Sequence, residues 1–195
     1  MTAVFISMRI IIFIDGSNFY HQLKQLGGNV EKIPLLNFRL ADFGKWLCND
    51  NEIVKIRYYI GAVRRQKNNE KSEKMYADQQ RLFFKLQRQN VKIVLGQLIQ
   101  HRDKTFHEKG VDVRLAIEMI RLARQDKYDV AYLISSDTDL VAAVEEVLSF
   151  GKKVKYIGAP NSQSFGLSKA ASDYLILRPE DIRPFLSLVD CDKIM

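Results

Sequence analysis

Short apolar runs alternate with longer amphipathic stretches along this chain, and the alternation predicts βα units around a mostly parallel sheet. The first run, 9–14 (RIIIFI), is apolar at consecutive positions, which is typical of a strand buried on both faces. A helix is predicted after it, from about Ser17 to Leu26, where a Gly-Gly pair ends it. The pattern therefore predicts a Rossmann-like α/β fold that starts with a buried strand.

The same alternation continues to the end of the chain. We predict further strands at 53–63, 91–95, 130–135, 153–157 and 174–177. We predict further helices at 34–49, 71–89, 111–124, 139–150 and 179–189, the last beginning after a proline. The polar segment 97–109 fits a strand extension, a hairpin or a mobile loop. We expect one domain over 1–195, with its core at about 8–178.

Composition narrows the class of protein. The chain has 195 residues, of which 47% are hydrophobic and 27% charged, a balance typical of globular domains. No apolar run reaches the roughly 18 residues of a membrane span, and the first residues lack the features of a secretory signal, so we expect a cytoplasmic protein. The two cysteines, Cys48 and Cys191, predict neither a disulfide framework nor a cysteine zinc site.

Positive charge is concentrated in one region. The net charge is +7, yet the segment 55–109 holds 14 basic and 5 acidic residues, which leaves the rest of the chain slightly negative. Such segregation favours a polyanionic partner, although a solvated helix face is the simpler explanation for any single residue. The candidate phosphate contacts are a polar loop and one side of the helix that follows it: Arg64, Arg65, Lys67, Lys74, Arg81, Lys85 and Arg88.

Aspartates follow two of the predicted strands. Asp15 comes after the first strand, Asp137 and Asp139 come after the strand at 130–135, and Asp112 lies at the start of a helix. Because the carboxyl ends of parallel strands share one edge of the sheet, we expect these acids to lie close together. Each alone could be a helix cap. Together they would repel one another, and Mg²⁺ or Mn²⁺ would relieve that repulsion and activate water for phosphodiester hydrolysis.

Asp15 opens the tetrad DGSN, in which Gly16 allows a sharp turn, Ser17 can cap the helix, and the Asn18 amide can bind a phosphate oxygen or a metal-bound water. Other chemistries lack their motifs. The chain has no GxGxxG, no P-loop and no GxSxG elbow, and its histidines lie away from the acids, so zinc is not expected.

Four segments resemble the NYN domain of the LabA-like group, a branch of the PIN-like nucleases: FIDGSN (13–18), KGVDVRLAIEM (109–119), YDVAYLISSDTDLVAAVEEVLSFGKKVKYIG (128–158) and LSKAASDYLIL (167–177). The resemblance covers about residues 8–178. It implies a Rossmann-like α/β/α sandwich, a centre for Mg²⁺ or Mn²⁺, and hydrolysis of phosphodiester bonds, most often in RNA. It also implies which residues act: Asp15, Asp112 and Asp137 as metal-binding acids, supported by Asp139 and Asn18.

The sequence departs from the family pattern at two positions. Ser136 stands where the family commonly has Gly, and Glu118 stands where it often has Asp. Related PIN-like domains often dimerise, so a homodimer is expected. The leading interpretation is a metal-dependent ribonuclease, in which Asp139 orients a metal-bound water. The alternative is a noncatalytic RNA-binding or regulatory domain that retains the fold.

Overall fold

Strand β1, Arg9–Asp15, lies in the middle of the sheet and contacts the apolar core on both faces. Ile12 and Ile14 pack into one core, whereas Ile11 and Phe13 pack into the other. Consecutive side chains of a strand point to opposite faces, which is why an unbroken apolar run is required here. The computed structural model describes residues 7–27, 35–63, 65, 69–100 and 106–186, apart from the side chains of 35, 71, 97–100 and 106–109.

The central sheet has six strands in the order β3-β2-β1-β6-β7-β8, and each neighbouring pair is parallel. Its other strands are β2 (Glu52–Ile60), β3 (Val91–Leu95), β6 (Val130–Ile134), β7 (Lys153–Gly158) and β8 (Asp173–Ile176). The chain fills one half of the sheet before it crosses to the other, so β1 and β6 form the switch point where ligands bind in such sheets.

Helices cover both faces of the sheet in the described part of the chain. They are α1 (Gly16–Leu26), α2 (Leu40–Cys48), α3 (Glu70–Arg88), α4 (Val111–Arg124), α5 (Val141–Ser149), α6 (Phe165–Ala170) and α7 (Pro179–Ile182). The apolar residues of α1, α2, α3 and α7 belong to one core, and those of α4, α5 and α6 belong to the other. The predicted α/β/α sandwich with a parallel sheet is confirmed. No helix in the described residues has the length and apolar character needed to cross a bilayer.

Two of the predicted helices differ in the structure because tertiary contacts interrupt them. The helix predicted at 34–49 is a 3₁₀ turn followed by α2, because Phe38 forms an isolated bridge with Leu186 and Arg39 donates its backbone N–H to Phe185. The helix predicted at 179–189 is wrong in length, since α7 gives way to a 3₁₀ turn that ends in the same bridge. Residues 187–189, like Cys191, lie outside the described residues.

Other differences are local. The strand predicted at 53–63 ends at Ile60, and the helix predicted from 139 begins with the 3₁₀ turn Thr138–Leu140. Helix α6 was not predicted. The amphipathic pattern of the helix predicted at 71–89 also places Met75 toward the core. In the structure Met75 is 50% exposed, because the core contacts of α3 come from further along the helix, at Leu82 and Leu86.

The polar segment before α4 forms a hairpin, one of the three structures that the sequence allowed. Strand β4 (Gln97–Gln100) pairs with β5 (Phe106–Lys109) in antiparallel fashion, separately from the central sheet. The connection at 101–105 lies outside the described residues. The hairpin therefore leads directly into α4, the helix that carries Asp112.

A charged cluster joins three segments at the amino edge of the sheet. Arg9 donates its backbone N–H to Asp129 at 2.8 Å, and its guanidinium contacts Asp129 at 2.7 Å and Asp126 at 3.0 Å. Lys152 also binds Asp126. The hydrogen bonds from the Arg9 side chain and backbone lower the pKa of Asp129 from 3.8 to about 2.

We expect the Asp129→Asn variant to lose stability at neutral pH and to be less sensitive to acid than the wild type. Because the folded-state pKa of Asp129 is depressed, its stabilising contribution is complete above pH 3.8 and is lost as the pH falls toward about 2. Urea midpoints measured from pH 6 to pH 2 should therefore differ most above pH 4 and converge in acid. Curves that stay parallel over the whole range would contradict this role.

Candidate functional site

A cavity of about 470 Å³ opens at the carboxyl ends of β1 and β6, beside the N-termini of α1 and α4. Its position is the one expected for a ligand site in a parallel sheet whose strand order switches there. Three of the predicted acids line it, although they come from segments far apart in the chain. The lining residues are Asp15, Ser17, Asn18, Gly110, Val111, Asp112, Ser136 and Asp137.

Asp15 is 2% exposed, and three hydrogen bonds stabilise its carboxylate. Its Oδ1 accepts the backbone N–H of Asn18 at 3.1 Å, so Asp15 is the N-cap of α1. Its Oδ2 accepts the side-chain amide of Asn18 and the hydroxyl of Ser135, the latter at 3.3 Å. The predicted capping role of Ser17 is therefore wrong. A carboxylate has about four acceptor positions, so one direction remains for a further ligand.

Gly16 is required for space and not for an unusual turn. A Cβ at this position would lie 2.5 Å from Cε1 of Tyr58 and 2.8 Å from the carbonyl oxygen of Tyr59. Tyr58 also donates its hydroxyl to the Gly16 carbonyl at 3.1 Å. Burial, and secondarily the charge of Asp15, raise the pKa of Tyr58 well above its usual value, so its phenol stays protonated as a donor. This contact fixes where α1 begins.

Asn18 links the ends of β1 and β6. Its amide nitrogen donates to Asp15, and its amide oxygen accepts the hydroxyl of Ser136. Ser136 is the residue that departs from the family pattern, and here its side chain fixes the orientation of the Asn18 amide. Both ends of that amide therefore have protein partners, which the predicted role in binding a phosphate oxygen did not include.

Asp137 lines the cavity and caps the 3₁₀ turn that follows it. Its Oδ1 accepts the backbone N–H of Asp139 at 2.9 Å, and its own N–H donates to Ser135 at 3.1 Å. No hydrogen-bond donor in the described residues contacts its Oδ2. Asp139 is exposed and is absent from the cavity lining, so its position does not support the predicted role as a metal ligand.

Asp112 reaches the cavity from the first turn of α4. Gly110 precedes the helix with φ of +84°, a left-handed conformation that favours glycine. This turn separates the hairpin from α4 and sets the direction in which the helix leaves the cavity. The glycine before Val111 in the KGVD segment is thereby explained by its backbone conformation.

All three acids of the cavity lie at helix N-termini. Asp15 and Asp137 are N-caps, and Asp112 lies in a first turn, where partial positive charge stabilises a carboxylate by about 0.3–1 kcal/mol. Neither Asp15 nor Asp137 forms an ion pair with a lysine or arginine of the described residues. For Asp15 and Asp137 the helix-cap explanation and the metal-site explanation are compatible, because capping uses only part of each carboxylate.

The donor set of the cavity suits a hard divalent cation, since it consists of carboxylate, amide and hydroxyl oxygens without thiol or imidazole. However, no three His, Cys, Asp or Glu side chains in the described part of the chain are placed to hold one ion together. A cation in this cavity would therefore take direct bonds from fewer than three carboxylates and complete its coordination with water, as Mg²⁺ commonly does.

Of the predicted phosphate-contacting cations, Arg64 and Lys67 lie outside the described residues, and none of the others lines the cavity. Arg65 follows the carboxyl end of β2 and pairs with Glu73 at 3.1 Å. The others lie along α3, and their contacts are as follows: Arg81 pairs with Asp78, Lys85 donates to Asn37, Arg88 stacks over the ring of Phe84, and Lys74 forms no ion pair with a described acid.

Helix α3 leads away from the cavity. It begins on the side of the sheet where β2 ends and finishes where β3 begins, so it runs antiparallel to both strands. At 1.5 Å per residue, Arg88 lies about 21 Å from Lys74 along the axis. Arg65 and Lys74 are consequently the described cations of this set on the cavity side of the sheet.

Burial excludes two tyrosine rings and one cysteine thiol from contact with a ligand. Tyr58 and Tyr59 are core residues, so they present no ring for stacking on bases. Burial raises the pKa of the Cys48 thiol to about 12, which leaves it neutral and unreactive.

The hydroxyls of Ser135 and Ser136, by contrast, belong to the site and were not predicted. Their position directly before Asp137 was the available signal.

Comparisons with known proteins agree with this architecture. The family model described as the NYN domain matches residues 9–178. A crystal structure of a protein of unknown function from Vibrio parahaemolyticus is similar in fold, with a TM-score of 0.68 and 22% sequence identity over 93% of this chain and 99% of that one. No curated protein matches the sequence. Because the family match covers most of the chain, the protein belongs to the NYN domain family, within the PIN-like nuclease superfamily.

Proposed function

We propose that this protein is a metal-dependent ribonuclease that hydrolyses phosphodiester bonds of RNA at the cavity between β1 and β6. One observation carries the proposal: Asp15, Asp112 and Asp137 come from three separate segments and line the same cavity. A place at a helix N-terminus explains each acid by itself but gives no reason for all three to face one space. We also propose that the chain belongs to the LabA-like group of the NYN domain family.

Asp15, Asp112 and Asp137 would hold Mg²⁺ or Mn²⁺, with fewer than three of them bonded to it directly and the rest acting through coordinated water. The bound cation would polarise a phosphoryl oxygen and lower the pKa of a coordinated water, giving products with a 5′-phosphate and a 3′-hydroxyl. Asp139 supports this arrangement through its backbone N–H, which orients the carboxylate of Asp137.

The protein's own groups prepare the site. Asn18 and Ser135 hold the buried carboxylate of Asp15 in one orientation, so it needs no rearrangement when a ligand arrives. The first turns of α1 and α4 add partial positive charge on the side where a phosphate would lie. The acids and the helix ends thus present a cation site and an anion site next to each other.

RNA is the proposed substrate because positive charge is concentrated in the segment 55–109, which passes the carboxyl edge of the sheet where the cavity lies. Arg65 and Lys74 lie on that side of the sheet, and the neighbouring loop is rich in basic residues. A strand held there by its phosphates would extend along the carboxyl edge of the sheet toward Asp15 and Asp137. The expected homodimer remains a proposal that this site does not require.

We expect the purified protein to cleave a 5′-labelled single-stranded RNA with Mn²⁺ and to be inactive in EDTA. The Asp137→Asn variant should cleave at least about 100-fold more slowly, because a carboxylate ligand of the metal contributes several kcal/mol to the transition state. Product lengths and end groups on denaturing gels measure the reaction.

Asp50→Asn is the matched control, since Asp50 is an exposed acid in the turn after α2 and lies away from the cavity. It should cleave at the wild-type rate. Equal cleavage by Asp137→Asn and the wild type would identify a contaminating nuclease and reject the assignment.

A noncatalytic RNA-binding domain is the second candidate, and the lack of a three-residue chelate in the described part of the chain favours it. Metal binding separates the two functions. Calorimetry that detects no Mn²⁺ binding, with salt-dependent RNA affinity retained, would support the noncatalytic domain.

Under the ribonuclease proposal, Mn²⁺ should raise the Tm, and Asp112→Asn should reduce that rise.

A further inference from the structure

Phe165 is the most exposed of the large apolar side chains in the described part of the chain, at 79%. It is the first residue of α6, on the face of the sheet that also carries α4 and α5. A single exposed apolar side chain is common on protein surfaces, so exposure alone has no functional meaning. Its position relative to the acidic cavity gives it one.

Both neighbours of Phe165 contact the residue that follows Asp137. The hydroxyl of Ser164 lies 3.1 Å from the hydroxyl of Thr138. On the other side, Gly166 packs so closely that an added Cβ would lie 2.8 Å from Cγ2 of Thr138. Phe165 is therefore attached to the turn that presents the Asp137 carboxylate to the cavity.

The backbone at Phe165 is held in place by buried groups. Ser164 donates its N–H to the hydroxyl of Tyr156 at 2.9 Å and accepts the N–H of Leu167 at 3.2 Å. Leu167 is fully buried and occupies the inward position of this short helix. With that position filled, the ring of Phe165 stays in solvent at the carboxyl edge of the sheet.

An ammonium group accompanies the ring. Lys169 lies one helical turn after Phe165, is also exposed, and forms no ion pair with an acid of the described residues. An exposed aromatic ring beside a cation is the combination with which proteins bind single-stranded nucleic acid, the ring stacking on a base and the cation meeting the backbone.

We propose that Phe165 and Lys169 form a subsite for one unpaired nucleotide, on the side of the cavity opposite Arg65 and Lys74. The inference rests on the proposed ribonuclease function and defines its substrate class as single-stranded RNA. A base inside a duplex is stacked on both faces and offers no surface to the Phe165 ring. The strand thus runs along the carboxyl edge, with basic residues at one end and the stacked base at the other.

The first test compares Phe165→Ala with Phe84→Ala. Phe84 is also an exposed ring beside a cation, Arg88, but it lies on the part of α3 that leads away from the cavity, so it controls for the position of the ring. Both are made in an Asp15→Asn background, so that binding is measured without cleavage. Anisotropy of a fluorescein-labelled single-stranded RNA should give an affinity about 5-fold to 100-fold weaker for Phe165→Ala, and unchanged for Phe84→Ala. Affinity for a duplex of the same sequence should change less than about twofold in either variant.

The second test observes stacking directly. Phe165→Trp and Phe84→Trp add an indole at the two positions, and Trp46 contributes the same background to both. Stacking on a base should quench the emission of the tryptophan at 165 when RNA is added and leave that at 84 unchanged. Thermal melts of all variants should coincide with the parent, because both side chains are exposed.

Each other outcome overturns the subsite. If Phe165→Ala binds as tightly as Phe84→Ala and the new tryptophan is not quenched, the subsite is rejected, while cleavage by the wild type would leave the ribonuclease intact. If Phe165→Ala instead converts a dimer to a monomer in sedimentation experiments with RNA affinity unchanged, the ring contacts a second copy. If the wild type binds no RNA, both proposals fail.

Discussion

The Asp15→Asn variant should cleave RNA about 10²-fold to 10⁴-fold more slowly than the wild type and lose only about 1 kcal/mol of unfolding free energy. The loss of activity follows from removing the buried charge at the end of β1, which would bind the metal. Asparagine has nearly the same shape as aspartate and is an equally good helix N-cap, so α1 should still begin at Gly16.

The hydrogen bonds around position 15 can be rearranged without moving the backbone. The new amide nitrogen would face the amide nitrogen of Asn18, two donors in contact. Rotation of the Asn18 amide by 180° restores a donor and an acceptor, and the hydroxyl of Ser136 can then reverse and accept. The network therefore tolerates the substitution, whereas the chemistry does not.

Asp129→Asn is the matched control for this prediction, because it makes the same chemical change at the opposite edge of the sheet. It should reduce stability and keep the wild-type cleavage rate. Cleavage by Asp15→Asn within about threefold of the wild type would exclude a metal-binding role for this residue. A large loss of unfolding free energy would instead attribute the lower activity to loss of the folded state.

The second prediction concerns a buried ion pair between β2 and α4. Arg57 donates to Glu118 at 2.6 Å, both side chains are nearly inaccessible, and the hydroxyl of Tyr59 donates to the same oxygen at 2.8 Å. Burial and the charge of Glu118 raise the pKa of Tyr59 well above its usual value, so its hydroxyl remains a donor. We expect Arg57→Met to cost about 3 kcal/mol, since among the described residues the Glu118 carboxylate then keeps only the half-exposed Arg121, at 3.3 Å, as an ion-pair partner.

Removing both charges should recover most of that loss. The Arg57→Met, Glu118→Leu double variant replaces the pair by apolar side chains, and Nε of Arg57 already lacks a hydrogen-bond partner in the described residues. Addition of Tyr59→Phe avoids leaving its hydroxyl without an acceptor. Urea unfolding of the single, double and triple variants measures the coupling. A cost below 1 kcal/mol for Arg57→Met would show that the pair contributes little.

The sequence predicted the parts of the fold that depend on local pattern. Consecutive apolar residues placed β1 and β6 in the sheet interior, and amphipathic periodicity gave α3 and α4 nearly to their bounds. Helix α6 has only six residues and includes a glycine, which is too short for a periodic signal. The break before α2 depends on a bridge to Leu186, a contact that no local pattern contains.

The acids of the candidate site could be predicted from the sequence, whereas the hydrogen bonds around them could not. Asp15 and Asp137 were identified because each follows a buried strand, and strand ends meet at one edge. The bonds that join Asn18 to Ser136 depend on the alignment of β1 with β6, which the sequence does not specify. Phe165 was not predicted either, because exposure at the rim of a cavity is a property of the folded chain.

Strand β1 also separates two charged regions, an ionic cluster at its start and the acidic cavity at its end. It begins at Arg9, in the ionic cluster with Asp129, and ends at Asp15 in the cavity. Six residue steps of about 3.3 Å place these ends about 20 Å apart, where two unit charges interact by less than about 1 kcal/mol at an effective dielectric constant of about 20. Charge substitutions around Arg9 can therefore be used to adjust acid tolerance with little direct effect on the carboxylates of the cavity.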